Sequence, residues 1–554
     1  MSRELTEQFK RLGKGSVHAV QDGNKLNSLD EYLHVTRPIE GEIKAKMGAI
    51  QQQGGGLVLL VGSAGDGKSH LISCLKEAHR YDDFFFYNDA TISFSPKMDA
   101  IDTLLQALDS YSDANIASTN MKMLLAINLG KLNELIDTPA FKEKFTQLIT
   151  VVSPIFTEEG ISDVHEIDRV KVVQFNTHQI YELLKDSTDQ YPVASEFLTL
   201  ILKKITAKED GNPFYHAYNI QKGQQNGKID PIVLNYELLS VPEIQHTIVN
   251  LIIEAIIRFK LIVTPRDYLD FISRIVVPVD YDEEHYSENA SFFESLLPSL
   301  VYCGTTNNIS KSLLALDPLK TSNIDHDKTL SYLSTTDTFP VNFIPEDLIA
   351  KLPSEIQTVT EGFYGNNGKD TERIAKFLFR LKHLLMYHSE DPSYAEYLRC
   401  LCGSIRHDPK LLNEFYGLVN DTIVRHCGSY YSQHDLVPLN IQGSNYRLFA
   451  QVFKKGQDPT IHYIDKNEFY PYITLQWKID NSIIPLNMDY DLFCYLNELK
   501  GGMLAVNYES DTNFSFSRFI QELVDKSDCD EKVVILDSDN KPLNLQDQFG
   551  TITF

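Results

Sequence analysis

The chain has 554 residues, beyond one ordinary domain of ~100–200, and its 43% hydrophobic and 23% charged content excludes wholesale disorder. Against 51 lysines and arginines stand 76 aspartates and glutamates, a formal net charge of −25. That balance excludes a protein that coats DNA or anionic membrane through bulk charge, but leaves room for a local basic patch.

Seven cysteines lie scattered at 74, 303, 400, 402, 427, 494 and 529. An odd, thin distribution argues against a disulfide framework, so a reducing cytoplasm is expected. Met1 to Glu7 carries no apolar signal core. The most apolar stretch, Ile244 to Val263, is broken by His246, Asn250, Glu254, Arg258 and Lys260. No membrane span is expected.

Residues 1–50 read as a helical leader, and Gln51 to Gly56 as a short flexible connector. Leu57 to Val61 is a fully apolar run suited to a buried parallel strand. It enters Gly62-Ser63-Ala64-Gly65-Asp66-Gly67-Lys68-Ser69, after which His70 to His79 has helical spacing with Leu71, Cys74 and Leu75 on one side. Further strands are expected at 84–87, ending in Asn88-Asp89, at 123–127, ending in Asn128, and at 170–175, ending in Asn176. Strands alternating with helices predict βαβ units and a parallel sheet.

A long amphipathic helix is expected over 241–260. A new helix starts at Thr264-Pro265-Arg266-Asp267, where Thr264 can cap and Pro265 fits the first helical position. The acidic 280–288 stretch reads as a boundary. Residues 290–430 look mainly helical, and short strands and turns follow from about 435.

The Gly62–Ser69 segment matches G-x-x-x-x-G-K-[ST] in full, with an apolar strand before it and a helix after it. Its glycines let backbone N–H groups turn in on a phosphate without Cβ clashes. Lys68 brings charge to the β/γ-phosphates, Ser69 offers a hydroxyl to Mg²⁺, and the helix N-terminus adds its dipole. The expected ligands are therefore ATP and Mg²⁺, bound by Gly62, Ser63, Ala64, Gly65, Asp66, Gly67, Lys68, Ser69 and His70. The expected fold is α/β: a P-loop NTPase parallel sheet with a helical lid, then a helical region and a smaller α+β C-terminal domain. The expected domains are the leader (1–50), the nucleotide-binding domain (51–240), the lid (241–280), a mainly helical domain (281–434) and the α+β domain (435–554).

Such ATPases usually add an Asp from a second strand end to hold Mg²⁺. Here the strand at 123–127 ends in Asn128, an amide that can orient water but brings no carboxylate charge. Asp89 is the preferred acid, with a turn or cap role as its alternative, and Asn176 is a candidate γ-phosphate sensor. Arg266, at a helix start, is a candidate arginine reaching back to the phosphates. Arg258 is a weaker candidate for a subunit interface.

Away from this loop, Arg373, Lys376 and Arg380 share a face of one expected helix and form a candidate contact for DNA phosphates or an acidic partner. Glu42-Ile43-Lys44 and Glu498-Leu499-Lys500 loosely fit an acid–x–Lys nuclease pattern but read as solvated helix faces. Cys400-x-Cys402 with His407, His426 and Cys427 reads as ordinary buried thiols.

Several blocks together carry a resemblance. They are Glu31-Tyr32-Leu33-His34-Val35, Arg37-Pro38-Ile39-Glu40, Gly65 to Leu71, Asn88-Asp89-Ala90-Thr91 and Ala126-Ile127-Asn128-Leu129-Gly130. In these the chain resembles the DptF family of DNA phosphorothioation-dependent restriction proteins, most specifically over 28–130. The resemblance implies a cytoplasmic bacterial defence component that works with partners DptG and DptH on DNA lacking phosphorothioate. Two roles stay open: an ATP-hydrolysing subunit, and a nucleotide-gated scaffold with little hydrolysis.

Overall fold

The strands β1 (Gly56–Gly62), β2 (Phe85–Tyr87), β3 (Lys122–Asn128) and β4 (Val170–Gln174), rich in β-branched, aromatic and other apolar residues, assemble into one sheet. The order is β2-β3-β1-β4 and every pairing is parallel, with Gly62 level with Asn128 at the carboxyl ends of β1 and β3. The structure is a computed structural model. It describes residues 3–13, 27–88, 100–156, 167–175, 178–225, 229–278, 292–304, 307–320, 324–336, 343–361, 369–428, 435–439, 447–461, 471–479, 481–505, 511–527, 533–536, 542–543, 546–548 and 551–553.

Continuous rather than alternating hydrophobicity in β1 and β3 follows from burial on both faces. Leu57, Leu59, Val61, Met123, Leu125 and Ile127 point to one side. There they meet α5 (Ala100–Leu108), α6 (Leu129–Asp137), α7 (Pro139–Lys144) and α8 (Thr146–Val152), through residues such as Leu104, Leu132, Phe141 and Val151. Val58, Leu60, Leu124 and Ala126 point to the other side. That side is covered by α3 (Pro38–Gln53) and α4 (Lys68–Glu77), through Ile39, Ile43, Met47, Leu71 and Leu75. The expected connector after residue 50 is instead the last turn of α3, closed by Gly54 in the left-handed conformation (φ +80°).

α1 (Glu4–Lys10), α2 (Ser28–Leu33), α9 (Glu196–Thr206), α10 (Pro213–Gly223), α11 (Pro231–Leu239), α12 (Pro242–Phe259) and α13 (Pro265–Val276) pack chiefly with one another. α12 is buried along most of its length, from Ile244 to Ile257. Its Glu254, 1% exposed, is satisfied by Arg258 Nη1 at 2.7 Å and by the hydroxyls of Tyr387 at 2.8 Å and Ser389 at 2.6 Å. Arg258, a candidate for a subunit interface from the sequence, thus serves an internal carboxylate. α13 starts as its sequence predicts. Thr264 Oγ1 accepts from Asp267 N at 3.1 Å, and the Asp267 carboxylate accepts back from Thr264 N.

Contacts divide the chain into two units. Met1–Glu182 and Val193–Glu390 form the first; Leu183–Pro192 and Asp391–Phe554 form the second. The second unit joins helices Pro392–Ile405 and Pro409–His426 to antiparallel strands such as Ile473–Ile479 and Ser482–Met488. Composition draws its last boundary at 434/435, whereas these two helices pack with the strands that follow. Buried Trp477 packs edge-on against Tyr416 of one of them, at 4.9 Å between centroids. No described helix is long and apolar enough to cross a membrane.

Candidate functional site

At the carboxyl end of β1 the chain turns through the glycine-rich loop into α4. Gly65 (φ +94°) and Gly67 (φ +89°) hold left-handed conformations that a side chain resists. Each is also crowded from outside the loop. A Cβ on Gly65 would lie 2.9 Å from Thr264 Oγ1, and one on Gly67 would lie 3.0 Å from Arg37 Nη2. The spacing of glycines therefore reflects both turn geometry and two neighbours that press on it.

No side chain caps α4. Its first-turn N–H groups lack intrahelical acceptors and carry the positive end of the dipole. They open on a cavity of about 460 Å³ bordered by Ala64 to His70. Lys68 Nζ donates to Ser63 O at 2.6 Å, and the Asp66 carboxylate accepts from Ser63 N–H. Burial lowers the Lys68 pKa, opposed by Asp66, and burial raises that of Asp66, opposed chiefly by Lys68. The Asp66 carboxylate thus occupies the Ser63 N–H and Lys68 occupies the Ser63 carbonyl, while the first-turn N–H groups of α4 remain uncapped.

Arg37 reaches the loop from the start of α3. Its Nη2 donates to Asp66 O at 2.9 Å, and its guanidinium lies 5.7 and 5.8 Å from the ring centroids of Phe175 and Phe197. Burial lowers its pKa, opposed by Glu40 and Asp66. From the sequence Arg37 is legible only as the residue ahead of α3, because Pro38 at a helix start marks that position. On the opposite wall, Arg266 borders the cavity from the first turn of α13, its N 3.5 Å from Gly65 O. Three cations, Arg37, Lys68 and Arg266, therefore surround the uncapped helix end. The cavity wall also carries the apolar side chains of Leu29, Leu33, Val35, Phe197, Ile201 and Leu269, with the polar Arg11, Asn27 and Asp30 among them. Cations beside apolar side chains suit an anionic ligand with an organic group.

The remaining expected residues divide. Asn128 borders the cavity, but its Oδ1 accepts from Lys131 N at 2.7 Å as the cap of α6. Asn88 borders the cavity too, and its buried Oδ1 has no hydrogen-bond partner among the described residues. Such a group fits a donor from a ligand or an ordered water. Asp89 and Asn176 lie outside the described residues, so the expected carboxylate for Mg²⁺ receives no placement. Ser69, the other expected Mg²⁺ contact, faces the cavity.

The basic stripe needs correction at one position. Arg380 turns to Asp317, with Nη2–Oδ2 at 2.6 Å and Nε–Oδ1 at 3.3 Å. Asp317 is 1% exposed, and a buried carboxylate demands such a partner. Arg373 and Lys376 stay partly exposed beside Glu294 and Glu372, at 3.9 and 2.6 Å. Both acid–x–Lys patterns lie on helices, and Glu42 is occupied by Lys46 and His178 at 2.6 Å each. Cys400 and Cys402 are buried thiols, pushed up to about 12 and about 11 by burial.

No protein family, curated protein or solved structure matches the chain.

Proposed function

We propose that this chain binds ATP at the Gly62–Ser69 loop and hydrolyses it as a subunit of a bacterial phosphorothioation-dependent restriction complex acting on unmodified DNA. One observation carries the nucleotide reading. An uncapped helix N-terminus, two left-handed glycines and three cations converge on a cavity that also carries apolar side chains. The restriction role rests on the resemblance of 28–130 to the DptF family, with DptG and DptH as the proposed partners.

In this reading the N–H groups of Gly67 to His70 hold the phosphates, and the base occupies the Leu33–Ile201 side. Lys68 leaves Ser63 O for the β/γ-phosphates, and Arg37 and Arg266 balance their charge. Ser69 would hold Mg²⁺, which neutralises charge developing on the transferred phosphoryl group. Asn88 orients the attacking water or a phosphate oxygen. A second reading, a nucleotide-gated scaffold that hydrolyses slowly, draws on Asn128, whose amide caps α6 and lends the site no charge.

Nucleotide binding and steady-state ATP turnover should be measured for wild type, Lys68→Ala and Asp89→Ala, with and without DNA and the partner proteins. The proposal expects ATP binding that Lys68→Ala abolishes, and turnover that both variants lose. ATP binding without turnover above the Lys68→Ala background supports the scaffold instead. No ATP binding by the wild type sinks both.

A further inference from the structure

We propose that His34, His70 and Cys74 form a binding site for a borderline-soft divalent transition metal of the Zn²⁺ class, behind the glycine-rich loop. His70 and Cys74 are four residues apart on α4, so their side chains share one face. His34 follows α2 and is brought opposite them where α3 packs beside α4. His34 Nδ1 lies 3.0 Å from His70 Nε2. Cys74 Sγ lies 3.6 Å from His34 Nδ1 and 3.7 Å from His70 Nε2. Among the described residues no other group of three His, Cys, Asp or Glu is arranged to hold an ion.

The spacing is what a tetrahedral ion requires. Zn–N bonds of ~2.0–2.1 Å and a Zn–S bond of ~2.3 Å set ligand atoms roughly 3.3 Å (N to N) and roughly 3.6 Å (N to S) apart. The smallest circle through three atoms spaced as observed has a radius of about 2.0 Å, so one ion reaches all three. Without an ion the same distances are hydrogen bonds, imidazole to imidazole at 3.0 Å and thiol to ring nitrogen at 3.6 and 3.7 Å, and the titration below separates the two states.

The surroundings complete the site. Glu40 Oε1 lies 3.6 Å from Nε2 of His34, the ring nitrogen that faces away from the cluster. The carboxylate lies beyond hydrogen-bond distance of that nitrogen, and its negative charge stands on the far side of the ring from Nδ1, the side on which metal-bound histidines commonly find an acidic neighbour. Glu40 is itself fixed, because its Oε1 accepts from Arg37 N at 3.2 Å to close the cap of α3. A cleft of about 280 Å³, bordered by Glu31, Glu40 and Glu77 beside His34 and Cys74, supplies access and room for a fourth, solvent ligand. Its acidic rim offsets the charge of the ion. Binding releases the Cys74 thiol proton to solvent and forms a Zn–thiolate bond.

The site stands independently of the ATP reading, because its test uses nucleotide-free protein. It nonetheless touches that site: His70 directly follows Ser69 and borders the large cavity. A bound ion would tie the first turns of α4 to the segment carrying Arg37.

The test is titration of the full chain, stripped by chelator, with Zn²⁺ against a chromophoric competitor, and separately with Co²⁺. The expected results are one tight site per chain, and an intense Co²⁺ spectrum of tetrahedral form with a thiolate charge-transfer band. His34→Ala and Cys74→Ser should weaken Zn²⁺ binding roughly 10- to 100-fold or more, and Glu40→Gln about 10-fold. Cys303→Ser, at another partly buried thiol, should bind as wild type does. Circular dichroism of the metal-free variants checks that they fold. If a variant fails to fold, the wild-type Co²⁺ spectrum decides alone. A pale octahedral spectrum without a thiolate band, or Zn²⁺ affinity equal in wild type and in folded Cys74→Ser, overturns the site.

Discussion

Gly65→Ala tests whether the loop is held in a shape that only glycine permits. The new residue would sit at φ +94°, where an L-residue is disfavoured by ~1–2 kcal/mol. Its Cβ would also meet Thr264 Oγ1 at 2.9 Å and Arg266 Cβ at 3.4 Å. Relief requires Thr264 to move, which loosens a cap worth ~1 kcal/mol. The sum is ~2–3 kcal/mol. It falls on nucleotide affinity if the empty loop relaxes, and on folding stability if it does not. At 1.4 kcal/mol per decade, the affinity limit is a loss of about 30- to 150-fold. The assay is titration with a fluorescent ATP analogue, alongside denaturant unfolding of the same preparations. Adding Thr264→Ala removes the clash but not the backbone cost, so the double variant should recover about 1 kcal/mol relative to additivity. If Gly65→Ala changes neither affinity nor unfolding midpoint, or if the two substitutions add without coupling, the reasoning is wrong.

Arg380→Met should destabilise the first unit by ~3–5 kcal/mol in denaturant unfolding, because it strands the buried Asp317 carboxylate. Arg373→Ala, partly exposed, should stay within ~0.5 kcal/mol of wild type. A comparable loss in both would show that the Arg380 pair is not an internal one. Burial lowers the His426 pKa from 6.5 to about 4, with Tyr495 OH at 2.7 Å and Ser517 Oγ at 2.9 Å on its two nitrogens. The unfolded chain then binds a proton that the folded chain refuses, so stability is full above about pH 6.5 and is lost as pH falls toward 4. His426→Gln should flatten that part of the unfolding-midpoint profile, and an unchanged slope would locate the acid sensitivity elsewhere. Asn88→Asp should alter nucleotide affinity measurably if its Oδ1 faces the ligand; affinity equal to wild type would remove Asn88 from the site.

Local signals carried much of the architecture. Continuous apolar runs marked the central strands β1 and β3, since burial on both faces leaves no alternation to confuse the reading, and the edge strands β2 and β4 were marked by aromatic and β-branched residues. Thr264-Pro265-Arg266-Asp267 marked the start of α13 because a capping box is written within four residues. The glycine-rich loop was legible for the same reason. Arg37 was not, because its importance lies in a contact with Asp66 made 29 residues away. Nor was the inward turn of Arg380, which answers a buried aspartate 63 residues before it.

By itself, then, the sequence determined what depends on near neighbours: the strands, the start of α13 and the glycine-rich turn that leads into α4. Only the tertiary structure decided which distant charges face that loop, that Asn128 is spent on capping α6, and that His34 meets His70 and Cys74. Spacing along the chain specifies backbone geometry over a few residues. Meetings between residues far apart are set by how α3 and α4 pack on the sheet and how the start of α13 meets the loop, and no periodicity records that.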